Sequence, residues 1–266
     1  MHTEAPEFSD RQSEILALIR QRGRVDVDAL SESYAVSTQT IRRDLNELCD
    51  RGLATRVHGG ARRSVSVSNF DYEDRRRHNS KAKTAIGDLA AGLIPNDCSI
   101  TLNIGTTTEQ VARALSGHVG LMVISNNVNI ISALIGAKAR DLILVGGSVR
   151  QSDGAIVGHQ AVEFIDGYKV DFAVIGASAI DDDGAILDFD AREVVVARAI
   201  LRNARTRILV ADAGKFERSA PIRICTLADL DYFVTDIEPP AAFRKAAEEA
   251  GVRILTGRKP AASAGA

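Results

Sequence analysis

At 266 residues the chain exceeds one typical domain, and 45% hydrophobic residues supply at least one full core, which excludes wholesale disorder. A formal net charge of -2 excludes a uniformly basic nucleic-acid coat, so any contact with DNA must rest on a local patch. Cys49, Cys98 and Cys225 are widely spaced and form no CxxC pair, which excludes a disulfide framework; with no signal-like start and no span-length apolar run, a soluble cytoplasmic protein is expected.

The first helix is expected over Asp10 to Gln21, burying Ile15, Leu16, Leu18 and Ile19 and ending at Gly23. A shorter helix follows with Val27, Leu30 and Tyr34 as its apolar set. The turn Ala35-Val36-Ser37 then leads into a third helix capped by Ser37. There Ile41, Leu45 and Leu48 form one buried stripe, and Thr38, Gln39, Arg42, Arg43 and Asn46 project from other faces. That polar face suits a DNA major groove, where Gln pairs with adenine and Arg with guanine. Arg43 beside Asp44 leaves a local ion pair as the alternative. Arg51 to Gly60 reads as a hairpin-like wing carrying Arg56 and His58. Residues 20 to 83 hold fourteen Lys and Arg against nine Asp and Glu, the local excess that phosphate binding calls for. The expected DNA contacts are therefore Ser37, Thr38, Gln39, Thr40, Arg42, Arg43, Arg56 and His58, with a protein-contact module as the competing use of such a unit.

The expected domains are a winged helix-turn-helix over 1–61, a linker over 62–80, an α/β effector-sensing domain over 81–256 and a flexible tail over 257–266. Short apolar strands are expected at Ser99 to Asn103, Leu121 to Ser125, Asp141 to Val145, Asp171 to Ile175, Arg207 to Ala211 and Tyr232 to Thr235. They alternate with amphipathic helices such as Glu193 to Arg202, the pattern of a parallel sheet covered on both faces. Ligands of such sheets settle at the carboxyl ends of strands. There the chain places Asn103-Ile104-Gly105-Thr106-Thr107-Thr108, Ser125-Asn126-Asn127 and Gly146-Gly147-Ser148, and Lys215 follows a later strand. Backbone N–H groups and hydroxyls at a helix start cradle phosphate; for Gly146-Gly147 a plain tight turn is the alternative. Tyr72 to Lys83 joins the two domains and is the candidate carrier of a ligand signal, with a solvated charged helix start as the other reading. His2, His58, His78, His118 and His159 are scattered, so neither metal nor cofactor is expected.

The stretch Val36-Ser37-Thr38-Gln39-Thr40-Ile41-Arg42-Arg43-Asp44-Leu45, followed by Arg56-Val57-His58-Gly59-Gly60-Ala61, closely resembles the signature of the DeoR family of regulators. The second half is similar to that family's sugar-phosphate-sensing domain, which is related in fold to ribose-5-phosphate isomerase, so the resemblance spans nearly the whole chain. It implies a repressor acting on double-stranded operator DNA as a homodimer or homotetramer, released by a phosphorylated sugar or polyol. Within the family, Gln39-Thr40-Ile41-Arg42-Arg43-Asp44-Leu45-Asn46-Glu47-Leu48, Asn126-Asn127, Leu187-Asp188-Phe189-Asp190 with Glu193-Val194, and Pro239-Pro240 resemble the members that respond to glycerol-3-phosphate, so the resemblance implies that effector. The implied effector residues are Gly105, Thr106, Thr107, Thr108, Ser125, Asn126, Gly146, Gly147 and Lys215, with Asp190 and Glu193, or Asp188, accepting polyol hydroxyls. A salt-bridge network around Arg192 is the alternative for those acids. The loop Asp212-Ala213-Gly214 departs from the family, which usually has serine directly before the lysine. A sugar-phosphate isomerase is the competing class, with Asp181, Asp182, Asp183, Asp188 or Asp190 as base. The glycine-rich, lysine-containing segment of such isomerases is not recognisable, and the acidic run ending at Gly184 reads as a turn.

Overall fold

The computed structural model describes residues 9–50, 53–57, 59–63 and 72–257, and the chain divides into two units, Met1–Ser66 and Val67–Ala266. In the first, Ser9 opens α1 (Asp10–Arg22) by a reciprocal capping box with Gln12, and Gly23 closes it in the left-handed region at φ 74°. After β1 (Arg24–Asp26), the Asp26 side chain accepts the Asp28 N–H to start α2 (Val27–Tyr34), and α3 (Thr38–Asp50) follows. β2 (Ala54–Val57) and β3 (Gly60–Arg63) form an antiparallel hairpin that β1 joins along β3. Ile15, Leu16, Ile19, Val27, Leu30, Ile41, Leu45 and Leu48 close the core as the periodicity predicts, with Leu18 and Tyr34 half-buried at its margin. Gly60 is fixed by contact: a β-carbon there would lie 2.0 Å from the Val25 carbonyl oxygen.

The second unit begins with α4 (Tyr72–Arg77), inside the stretch expected to be linker; β3 likewise crosses the boundary drawn at residue 61. Then come α5 (Ser80–Ala91), β4 (Ser99–Leu102), α6 (Thr106–Ala114), β5 (Met122–Ser125), α7 (Val128–Leu134), β6 (Asp141–Leu144), α8 (His159–Asp166) and β7 (Val170–Ile175). β8 (Ala179–Ile180), β9 (Ile186–Asp188), α9 (Ala191–Arg202), β10 (Ala204–Val210), β11 (Ile222–Cys225), β12 (Tyr232–Thr235), α10 (Ala241–Glu249) and β13 (Arg253–Thr256) complete it. Seven strands pair in parallel in the order β13-β12-β10-β7-β4-β5-β6. α5, α6 and α7 pack Ile86, Ala90, Val111 and Ile130 on one face, and α8, α9 and α10 pack Ile165, Val196, Ile200 and Phe243 on the other. Burial on both faces explains the continuous apolar strands. Phe216, Phe233 and Phe243 meet edge to face in the second layer.

The chain runs outward from β4 through β5 to β6, returns to β7 and continues the opposite way. β4 and β7 therefore flank the crevice where strand order reverses, the usual ligand position in this architecture. The small antiparallel sheet β11-β9-β8 is additional to the expected strands. Among the described residues no helix is long and apolar enough to cross a membrane.

Candidate functional site

On α3 the Ser37 hydroxyl accepts the Thr40 N–H at 3.2 Å and bonds the Thr40 hydroxyl at 2.9 Å, so both side chains are held in the cap. Gln39, Arg42 and Arg43 are exposed, and Thr38 is half-buried beside them. Asp44 does not pair with Arg43; it turns inward and accepts from Arg11 at 2.7 Å. That bond ties α3 to α1 and leaves the two arginines without an ion pair among the described residues. Arg56 is exposed on β2, and Arg62, which sequence reading passed over, is exposed on β3 opposite Thr55. His58 lies outside the described residues.

In the second unit the loop after β4 enters α6 through Gly105 at φ 142° and ψ 150°, a conformation open essentially to glycine alone. Thr106, Thr107 and Thr108 are buried at the helix start, where backbone N–H groups lack intrahelical acceptors and the helix dipole is positive. The Thr108 hydroxyl is committed, donating to the Gly105 carbonyl at 2.7 Å. Those of Thr106 and Thr107 carry no hydrogen bond to any described residue. Ser125 is also committed: its hydroxyl donates to the Leu102 carbonyl at 2.8 Å and accepts the Asn127 N–H at 3.2 Å. The Asn126 amide donates to the Ile156 carbonyl at 3.0 Å, and its Oδ1, like Asn103 Oδ1 one strand over, is buried without a partner. Gly146 and Gly147 sit exposed beyond the edge strand β6, and Gly147 at φ 140° would press a β-carbon to 2.8 Å from Ile156.

Lys215 lies in a 3-10 turn, Ala213–Glu217, after β10, two strands across from β4. Burial pushes its ammonium down to about 7, helped by the nearby charges of Arg218, Lys83 and Arg75 and opposed by Asp212. Lys83 is buried and pushed down to about 8, first by burial; its Nζ donates to the carbonyls of Arg75 and His78. Asp212 accepts from the Asn79 amide at 2.8 Å. Burial would raise its carboxyl, but Lys215, the Asn79 bond, Lys83 and Arg218 outweigh this and hold it below the usual range. Four cations thus converge on two acids, Asp212 and Asp188. Of the four, sequence reading had assigned only Lys215 to the site, because Arg75 and Lys83 sit in the charge-dense stretch and Arg218 in no motif.

The expected polyol acceptors are organised by a residue that sequence reading did not single out. Arg150 donates to Asp153 at 2.8 and 2.7 Å, to Asp190 at 3.2 Å and to Glu193 at 2.5 Å. Asp190 also caps α9 and receives Arg192 at 2.8 Å. The network alternative thus describes their present contacts, centred on Arg150 more than on Arg192. Burial, then Asp188, pushes Glu193 up to about 7 against the pull of Arg150. Asp188 is likewise raised by burial, although its Oδ1 accepts from Ser178 at 3.0 Å and from the Phe189 N–H at 2.6 Å. Asp181 to Gly184 form the turn between β8 and β9, with Gly184 at φ 85°.

A helix-turn-helix unit with exposed glutamine and arginines, joined to an α/β unit whose sheet crevice holds a glycine-entered helix start, has the plan of a DNA-binding transcriptional regulator with a sensor domain. Residues 11–67 match the DeoR-like helix-turn-helix domain, and residues 78–237 match the DeoR C-terminal sensor domain. The chain belongs to the DeoR family. It is 43% identical over 229 residues to the glycerol-3-phosphate regulon repressor of Haemophilus influenzae, covering 86% of this chain and 89% of that one. It is 39% identical over 234 residues to the protein of the same name from Escherichia coli K12, covering 88% and 93%. In fold it is similar to ribose 5-phosphate isomerase A of Methanocaldococcus jannaschii, with TM-score 0.39 and 16% identity over 52% of this chain and 54% of that one. Its relatives are named as repressors, and the isomerase alternative finds no support in them.

Proposed function

We propose that this chain is a cytoplasmic repressor that holds operator DNA through α3 and the wing, as a homodimer or homotetramer, and releases it when glycerol-3-phosphate occupies the second unit. One observation carries the effector reading: an α6 start with open N–H groups and two uncommitted threonine hydroxyls shares its sheet end with Lys215, and both Lys215 and Lys83 lie where burial disfavours their charge in the absence of an anion. A phosphate dianion meets both requirements. Gly105, Thr106 and Thr107 cradle it and Lys215 supplies charge, while Thr108 and Ser125 hold the loops in shape. Asn126, Gly146, Gly147, Asp190 and Glu193 border the polyol end. The names of two relatives, glycerol-3-phosphate regulon repressors, support glycerol-3-phosphate among the phosphates that such a cradle accepts. On the reader, Gln39, Arg42 and Arg43 meet base edges, and Thr38, Arg56 and His58 flank them, with Ser37 and Thr40 setting the helix start. Release follows only if the effector binds the operator-holding and operator-free states unequally.

The test is a thermal-shift titration with glycerol-3-phosphate, against glycerol, inorganic phosphate, ribose-5-phosphate and fructose-1-phosphate, paired with operator binding. Occupancy at 100 times Kd stabilises the native state by about 2.7 kcal/mol. Lys215→Ala should hold operator and ignore glycerol-3-phosphate, and Arg42→Ala should bind glycerol-3-phosphate and lose operator. A rise with another sugar phosphate alone replaces the effector; no rise with any phosphate overturns the sensing assignment.

A further inference from the structure

Two acceptors are sealed at the carboxyl end of the sheet with no donor to meet them. Asn103 and Asn126 are 5% and 0% exposed, and each has a buried Oδ1 that no hydrogen bond reaches. A buried amide oxygen in that state has given up its bonds to water and gained none in return, so it marks a missing donor. The Asn126 oxygen is assigned by its neighbour. The Ile156 carbonyl only accepts, so the amide nitrogen faces it at 3.0 Å and the oxygen is the atom left over. Among the described residues nothing bonds the Asn103 side chain, although its backbone N–H holds the Val174 carbonyl at 2.9 Å.

The sheet makes the two side chains neighbours. Leu102 pairs with Ser125 where β4 runs beside β5, and Asn103 and Asn126 come one residue later on each strand, so their α-carbons lie about 5 Å apart. They also share a face. Ile100 and Leu102 pack under α5, α6 and α7, which turns Asn103 to the opposite side, and Asn126 bonds Ile156, whose side chain lies in the layer of α8 and α9. Asn103 stands two residues before Gly105, through which the chain enters the α6 start, a span of at most about 7 Å. The acids nearby offer less, because Arg150 already serves Asp190 and Glu193.

Each O–H donates one proton, so two acceptors call for two hydroxyls, and an ionised carboxylate or a carbonyl supplies neither. Hydroxyls on adjacent carbons bring both from one ligand. We propose that Asn103 and Asn126 receive two adjacent hydroxyls of the effector, so that Asn103 is a specificity-determining residue and the site selects a phosphate bearing a vicinal diol. The proposal rests on the sensing function above and names the groups that read the polyol end.

The test is calorimetric titration of the full chain with glycerol-3-phosphate and with 2-hydroxypropyl, 3-hydroxypropyl and n-propyl phosphate, which lack the terminal hydroxyl, the middle one and both. Wild type should bind each singly deleted analogue roughly 10- to 100-fold more weakly than glycerol-3-phosphate, since each deletion leaves one acceptor without its donor. Asn103→Leu keeps the size and removes the acceptor. It should lose a similar factor on glycerol-3-phosphate, bind n-propyl phosphate as wild type does, and melt no lower than wild type without ligand. Wild-type affinity for either singly deleted analogue equal to that for glycerol-3-phosphate gives that oxygen to an internal water and overturns the pair, with the sensing function standing. An undiminished preference for glycerol-3-phosphate over n-propyl phosphate in Asn103→Leu overturns the role of Asn103. Should that variant melt early, Asn103→Ala is read in the same way. Failure of wild type to bind any of the four phosphates overturns the sensing function and the proposal with it.

Discussion

Replacing Arg150 with glutamine removes the centre of an acid network without changing the backbone. Arg150 serves three carboxylates, and Asp153 and Glu193 are only 8% and 16% exposed, so removal strands buried acids instead of a surface pair. Breaking a fully buried pair costs about 3–5 kcal/mol. Arg150 itself is 26% exposed, and water screens part of that, which brings the expected loss to about 2–4 kcal/mol. For a unit of this size that lowers the melting temperature by roughly 5–15 °C. The loss should also depend on pH. Glu193 sits at about 7 in the folded chain against an ordinary 4.5, so the fold retains a proton there that the unfolded chain has lost. That contribution is present at low pH and disappears as pH rises through 4.5 to 7. Arg150 lowers the folded value, so its removal raises that value and extends the window upward. The deficit of Arg150→Gln, followed by calorimetric melting, should therefore be larger at pH 8 than at pH 5, where the stranded Asp153 and Asp190 supply most of it. A deficit equal at both pH values, or larger at pH 5, would refute the reasoning.

Two further substitutions probe the two units separately. Gly105→Ala forces a side chain into φ 142° and sets its β-carbon 3.1 Å from the Thr108 hydroxyl, costing about 1–3 kcal/mol; ligand-free melting and glycerol-3-phosphate affinity should both fall. If both are unchanged, the loop is not strained into its present shape. Arg11→Ala leaves the inward-turned Asp44 unpaired at a cost of about 1–2 kcal/mol. Proteolysis in the first unit should then accelerate while operator affinity at low temperature holds, because neither residue is on the exposed α3 face. An affinity loss as large as that of Arg42→Ala would place Arg11 at the DNA.

Where one periodicity dominates, the sequence is readable. Ile41, Leu45 and Leu48 locate the buried face of α3, and continuous apolar runs locate six of the sheet strands because both faces are covered. Short elements escape: β8 and β9 hold two and three residues, too few for alternation to register. Charge misleads in a second way. Tyr72 to Lys83 looks solvated, yet Tyr72 and Lys83 are buried, since the phenol and the ammonium find partners on α6, α7 and the end of α4 itself. The same holds for Arg150, whose acids at 190 and 193 come close only once α9 has packed. The local conformation of a single loop, such as Gly105 entering α6, is legible; networks assembled from distant segments are not.

The strand order also sets a timetable for synthesis. The reader's core uses residues between Ile15 and Ala61 alone, all available early as the chain emerges. The centre of the sensor must wait, because Ile100 on β4 pairs with Phe172 on β7, and β10, β12 and β13 come later still. At roughly 5–20 residues per second, several seconds separate the two events. Every residue of the DNA-reading core is therefore made before the strands that complete the sensor sheet.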